Sequence, residues 1–84
     1  MYTTIIKLID SNNKVLESIT ISEKLNIDIH LNDIVSYKLG KLKSINGIVV
    51  KREIDIDDDA EYFKNIDITE TITLATRWSK FKTN

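Results

Sequence analysis

The most regular feature of the chain is a two-residue alternation near its C-terminal end. In NIDITETITLATRW, residues 65–78, the even positions carry Ile66, Ile68, Ile72, Leu74 and Trp78. The odd positions carry Asp67, Thr69, Thr71, Thr73 and Arg77, and only Glu70 and Thr76 interrupt the apolar side. Successive side chains of a strand point to opposite faces, so this pattern predicts a strand with one face in the core. Upstream, Tyr2–Asp10 reads as a first strand. Val15, Glu17, Ile19 and Ile21 share one face of a second. Between them DSNNK, residues 10–14, is rich in residues that tolerate left-handed backbone, which predicts a hairpin.

The middle of the chain continues in the same way. Ser22–Asn26 reads as a bend or single helical turn with Ser22 as its N-cap. Ile27, Ile29 and Leu31 alternate with Asp28 and His30, the period of a half-exposed strand. Asn32-Asp33 punctuates it, Ile34–Leu39 extends again, and Gly40 marks a turn or kink. Asn46-Gly47 suits a type I′ turn, with Ile45 opposite Ile48 and Ser44 opposite Val49. The strand after it would run from Ile48 to about Ile56, with Ile48, Val50, Ile54 and Ile56 on one face. Arg52 interrupts that face and would lay its stem on apolar surface with its head in water. Asp58 and Glu61 have the spacing of a capping box, which predicts a short helix near residues 58–64 ending at Asn65.

These elements imply a single domain over residues 1–84. The expected fold is mainly β, a small antiparallel barrel or meander of five to six strands with one short helix. A chain of this length buries only roughly 60% of its unfolded surface, so modest stability is expected. It has no cysteine and no proline, hence no disulfide, which suits a reducing cytoplasm. No apolar run approaches the roughly 20 residues of a membrane span, and the N-terminus lacks the pattern of a secretory signal.

Chemistry is sparse. Asp55, Asp57 and Asp59 match the first, third and fifth ligand positions of a calcium loop, but Ala60, Phe63 and Ile66 stand where that loop needs glycine, a ligand and a bidentate glutamate. The single histidine, His30, reads as a surface residue, and zinc would find no thiolate. The serines have only His30 as a base and no nucleophile elbow surrounds them. We therefore expect no enzyme activity, no metal and no cofactor.

Charge adds more. The net charge is −1, yet the distribution is uneven. Residues 38–52 hold Lys38, Lys41, Lys43, Lys51 and Arg52 and no acid. Residues 53–70 hold eight acids and one lysine. Helix capping accounts for Asp58 and Glu61 but leaves Asp55, Asp57 and Asp59 for a partner-facing surface. The leading expectation is a non-enzymatic protein-binding module, an adaptor or inhibitor that docks a basic partner surface. A phage or other mobile-element origin would suit the composition. The alternative is a nucleic-acid-binding barrel that uses Tyr37, Lys38, Lys41, Lys43, Lys51 and Arg52, cations for phosphates and an aromatic for stacking. A third reading is a structural subunit of a homo-oligomer, for example a homodimer through an edge strand.

One stretch also carries a resemblance. In residues 31–53, Asn32-Asp33, Ile34-Val35, Gly40 and Gly47-Ile48-Val49-Val50 follow one another as turn, apolar strand, loop, and glycine before a second apolar strand. The segment resembles the central hairpin of SH3-like small barrels, including KOW-type modules, with Asn32 in place of the glycine before the aspartate. The resemblance implies a small-barrel fold and a binding role, and carries no site residues.

Overall fold

A computed structural model of the chain describes residues 1–41, 43–58 and 66–76. It is mainly β, with five strands: β1 (Tyr2–Ile9), β2 (Val15–Ile21), β3 (Ile34–Leu39), β4 (Lys43–Asp58) and β5 (Ile66–Ala75). They form one sheet in the order β2-β1-β5-β4-β3, curled into a half-barrel. The fold is thus neither a closed barrel nor a simple meander. The sheet is also mixed rather than antiparallel, because β1 and β5 run parallel, Tyr2 beside Ile68 through Ile9 beside Ala75. No helix occurs among the described residues. The one expected near 58–64 is not seen: Asp58 is the last residue of β4 and pairs with Ile66, and residues 59–65 lie outside the described residues. No helix among the described residues is long and apolar enough to cross a membrane.

The β1–β2 hairpin forms where its turn residues predict. Asp10 Oδ1 accepts from the backbone N–H groups of Asn12 (2.8 Å) and Lys14 (3.0 Å), and Asn13 takes the left-handed conformation at φ 64°. Asparagine reaches that region more readily than most residues. Asn32, at φ 73°, does the same in the turn before β3. It therefore supplies at this turn a backbone shape that glycine adopts most easily.

The β3–β4 hairpin turns elsewhere than expected. Gly40, at φ 66°, belongs to the turn, and Asn46 and Gly47 lie inside β4, opposite Ser36 and Val35. Gly47 serves a different purpose there. A Cβ on it would meet the Ala75 carbonyl oxygen at 2.6 Å, Leu74 Cβ at 2.9 Å and Leu8 Cδ1 at 3.1 Å. The sheet curls so tightly at this point that only a residue without a side chain fits.

β4 carries a second irregularity. Its register with β5 shifts between Val49 and Lys51, so Val50 is an extra residue, a β-bulge. Before the bulge the odd residues Ile45 and Val49 enter the core. After it the even residues Arg52 and Ile54 face inward, opposite Ile72 and Glu70. The expected common face of Ile48, Val50, Ile54 and Ile56 is therefore split: Val50 is exposed, and Ile48 is buried outside the core cluster. β5 keeps its predicted inner side at Ile72 and Leu74, which are fully buried, whereas Ile66 at its start is exposed and Thr73 of the polar side is buried too.

Residues 22–33 connect the two outermost strands, so they must traverse the whole sheet. They do not form the expected strand. Within Ile27–Leu31 only Ile29 is buried, and it joins Ile6, Ile19, Ile45, Val49, Ile72 and Leu74 in the core, while Ile27 is 70% exposed. The segment acts as a strap across the inner face. Thr4 Oγ1 donates to the Glu23 carbonyl at 2.8 Å, and Arg52 Nη1 donates to the Ile29 carbonyl at 3.1 Å.

Two substitutions test this description. Gly47→Ala should cost about 1–3 kcal/mol through overpacking against β5, measured by urea unfolding; a neutral result would contradict the close approach. Thr73 is buried and its Oγ1 has no hydrogen-bond partner among the described residues. Thr73→Val removes that unsatisfied hydroxyl and should raise stability by about 1 kcal/mol, seen as a higher midpoint in the same assay.

Candidate functional site

Three clusters of polar side chains stand out, and the bulge in β4 determines two of them. Beyond Val50 the odd residues of β4 point away from the core. Glu53, Asp55 and Asp57 are exposed and lie opposite Thr71, Thr69 and Asp67 of β5. Lys51 Nζ approaches Glu53 Oε1 at 3.5 Å. Asp57 and Asp67 are direct cross-strand partners, an arrangement that weakens a sheet because like charges face each other. The Met1 amine, 3.5 Å from Asp67 Oδ1, offsets part of that charge. The same β4–β5 arm presents isoleucines on its inner side. Ile54 and Ile56 are 54% and 65% exposed, and Ile66, opposite Asp58 on the same inner side, is also exposed. The outer face of the arm is thus acidic, and the inner face carries the exposed Ile54 and Ile56 between Arg52 and Asp58. Of the acidic residues expected at a partner surface, Asp55 and Asp57 share this outer face, and Asp59 lies outside the described residues. Among the described residues no group of three His, Asp or Glu is placed to hold a metal ion.

The second cluster is basic. Lys38, Gly40, Lys41, Lys43 and Ser44 surround an open cleft of about 410 Å³ at the β3–β4 turn. Lys43 Nζ also reaches Glu17 Oε2 at 3.0 Å. The residues expected for nucleic-acid contact are therefore divided. Three lysines converge, Lys51 sits on the acidic arm, and Tyr37 is half-buried and packs against the core. Arg52 turns to the inner face.

That inner face holds the third cluster, which the sequence reading missed. Glu70 is only 3% exposed. Tyr2 donates its hydroxyl to Glu70 Oε1 at 2.5 Å, and Arg52 Nε donates to Glu70 Oε2. Burial pushes the Glu70 carboxyl up, but the hydrogen bonds from Tyr2 and Arg52, with the Arg52 charge, outweigh it and hold the group below its ordinary range. The hydrogen bond to Glu70 raises both Tyr2 and Arg52. Lys24 Nζ stands 5.9 Å from the centre of the Tyr2 ring. A small cleft of about 260 Å³ opens beside Arg52, lined also by Lys24 and Asp28. The signal for this cluster was present in the sequence: Glu70 interrupts the apolar side of β5, and Arg52 interrupts that of β4. Two charged interruptions of opposite sign on inward faces are candidates for one pair.

No family model, curated protein or solved structure matches the chain.

His30 is exposed, with Nε2 3.3 Å from Asp28 Oδ2 and Nδ1 3.8 Å from Asp33 Oδ2. Its backbone N–H donates to Asp33 Oδ2 at 2.9 Å, so Asp33 braces the turn into β3. Nothing in this group resembles a nucleophile with its base. The Tyr2–Glu70–Arg52 cluster is best described as a clasp. It joins β1, β5 and β4, and through the Ile29 carbonyl it fastens the strap.

A carboxylate whose pKa falls on folding stabilises the protein above its unfolded-state value, about 4.3. That contribution is lost as the pH drops through the lower folded value. Glu70→Gln should lower stability at pH 7 by about 2 kcal/mol, because it leaves Arg52 without its counter-charge at a half-covered site. The deficit relative to the native chain should shrink as pH falls below about 4. Chemical denaturation at pH 7 and pH 3 measures it, and an unchanged deficit would mean that Glu70 is not ionised in the fold.

Proposed function

We propose that the chain is a non-catalytic protein-binding module that docks a basic partner surface through the outer face of the β4–β5 arm. The acidic face consists of Glu53, Asp55 and Asp57 with Asp67 across the sheet. The observation that carries this reading is the Asp57–Asp67 cross-strand pair. It works against the stability of the arm, so the fold itself gives no reason for it. An exposed acidic cluster accelerates encounter with a cationic partner and loses that advantage as salt rises. The roles of adaptor and of inhibitor, with occlusion of a basic groove, both fit such a surface.

A second reading has an observation of its own. Lys38, Lys41 and Lys43 converge on one cleft, which suits phosphate oxygens of a nucleic acid. The half-buried position of Tyr37 and the inward turn of Arg52 remove two of its expected parts, so it ranks second.

Two triple variants separate the readings. Asp55→Asn, Asp57→Asn and Asp67→Asn together should leave the fold intact and reduce capture of a partner from the native host extract at low salt. Lys38→Gln, Lys41→Gln and Lys43→Gln together should change it little. The reverse result, with loss of retention on an immobilised oligonucleotide by the glutamine variant alone, would transfer the function to the basic cleft.

A further inference from the structure

The arm also has an open edge. β3 pairs with β4 only as far as Ile48. The next residue, Val49, exchanges backbone hydrogen bonds with Asn32 and Asp33 at 2.8 and 2.9 Å. At Arg52 the strap passes close by. From Glu53 to Asp57, among the described residues, no strand lies on the side of β4 away from β5. Five residues of a strand present an edge of about 16 Å. Unpaired backbone N–H and C=O groups along such an edge are a template for another strand.

We infer that this edge takes up an extended segment of a partner protein as an additional strand, and that the segment alternates basic with apolar side chains. The inference rests on the acidic-arm reading and specifies the partner's chemistry. In a paired strand, opposite residues share a face. Side chains of the incoming segment on the outer face come to lie beside Glu53, Asp55 and Asp57, which favours lysine or arginine. Those on the inner face come to lie beside Ile54 and Ile56, which favours an aliphatic residue. Backbone hydrogen bonds would supply affinity, and the two faces would supply selectivity.

Charge also decides against the most obvious competitor, a second copy of this chain. Two copies that pair edge to edge about a two-fold axis run antiparallel and keep their faces. In the register centred on Asp55, each of Glu53, Asp55 and Asp57 would then stand beside an acid of the other copy, and Lys51, 3.5 Å from Glu53, offsets only part of that charge. Isologous pairing repeats every contact twice, so the repulsion is doubled. A basic segment meets the same edge with attraction on one face and apolar burial on the other.

The test uses the full chain and three synthetic nine-residue peptides. The first alternates lysine and valine. The second has the same composition in two blocks. The third is the alternating peptide N-methylated at every interior amide, which removes its backbone donors. Binding is followed by fluorescence anisotropy at two salt concentrations, and backbone amide exchange is followed at residues 53–57. The alternating peptide should bind and slow exchange in that segment, and the other two should bind at least about tenfold more weakly. Equal binding of the methylated and unmethylated peptides, or no binding of the alternating peptide, overturns strand addition. Glu53→Gln, Asp55→Asn and Asp57→Asn together separate the two levels of the argument. Strand addition that persists undiminished in this variant overturns the acidic-arm reading instead. Loss of binding for all peptides in the variant, with no effect of methylation in the native chain, keeps acidic docking and removes the added strand.

Discussion

The extra residue at Val50 decides which side chains of β4 meet the core and which meet the solvent. A strand alternates strictly, so one inserted residue exchanges its faces. Without the bulge, the odd positions that bring Ile45 and Val49 inward would continue with Lys51, Glu53 and Asp55. Three charges would then enter the concave side. With it, the inward series continues as Arg52, Ile54 and Ile56, and Glu53, Asp55 and Asp57 are turned out. The inward Arg52 meets Glu70, the outward Asp57 meets Asp67, and the arm acquires its two unlike faces. The clasp and the candidate docking surface are both consequences of that single irregularity.

The clasp in turn answers a problem set by topology. β2 and β3 occupy opposite edges, so the chain between them has to cross the open side of the half-barrel. A connecting segment brings backbone polar groups over an apolar core, and those groups need partners. Arg52 supplies one to the Ile29 carbonyl and Thr4 supplies one to the Glu23 carbonyl. Arg52 is held in place by Glu70, whose own burial is tolerable because Tyr2 and Arg52 occupy both of its oxygens. Ile29 then completes the core from above. A half-barrel that does not close on itself is in this way closed by its own connection.

What the sequence disclosed and what it withheld follow from the range of each interaction. The DSNNK turn was legible because Asp10 and Asn13 act on their own backbone. The sides of β5 were legible because alternation over ten residues has one interpretation. Asn46-Gly47 misled because glycine has two uses, positive φ and close approach. The second depends on Leu8, Leu74 and Ala75, which are distant in sequence. Ile27, Ile29 and Leu31 misled because a strap that buries one residue in five mimics a half-exposed strand. The bulge left no local mark, since Val-Val-Lys-Arg reads as an ordinary strand. Of the candidate surfaces, the acidic arm was visible as an excess of carboxylates on one side of a strand. The clasp required two charged interruptions to be recognised as partners across eighteen residues.

The open edge of β4 also bears on why the arm carries acids at all. A flat edge strand with exposed isoleucines is prone to pair with copies of itself, and inward or flanking charges are a common defence. Glu53, Asp55 and Asp57 meet that need, because self-pairing would set acid beside acid. Solubility alone would be served equally well by mixed signs, which avoid the Asp57–Asp67 repulsion. A single sign does something that a mixture does not: it excludes one class of strand and admits another. Specificity is a difference between affinities, and a feature that penalises the wrong partner contributes to it as directly as one that favours the right partner. The charges that keep this edge from its own kind are the ones that would select a basic segment.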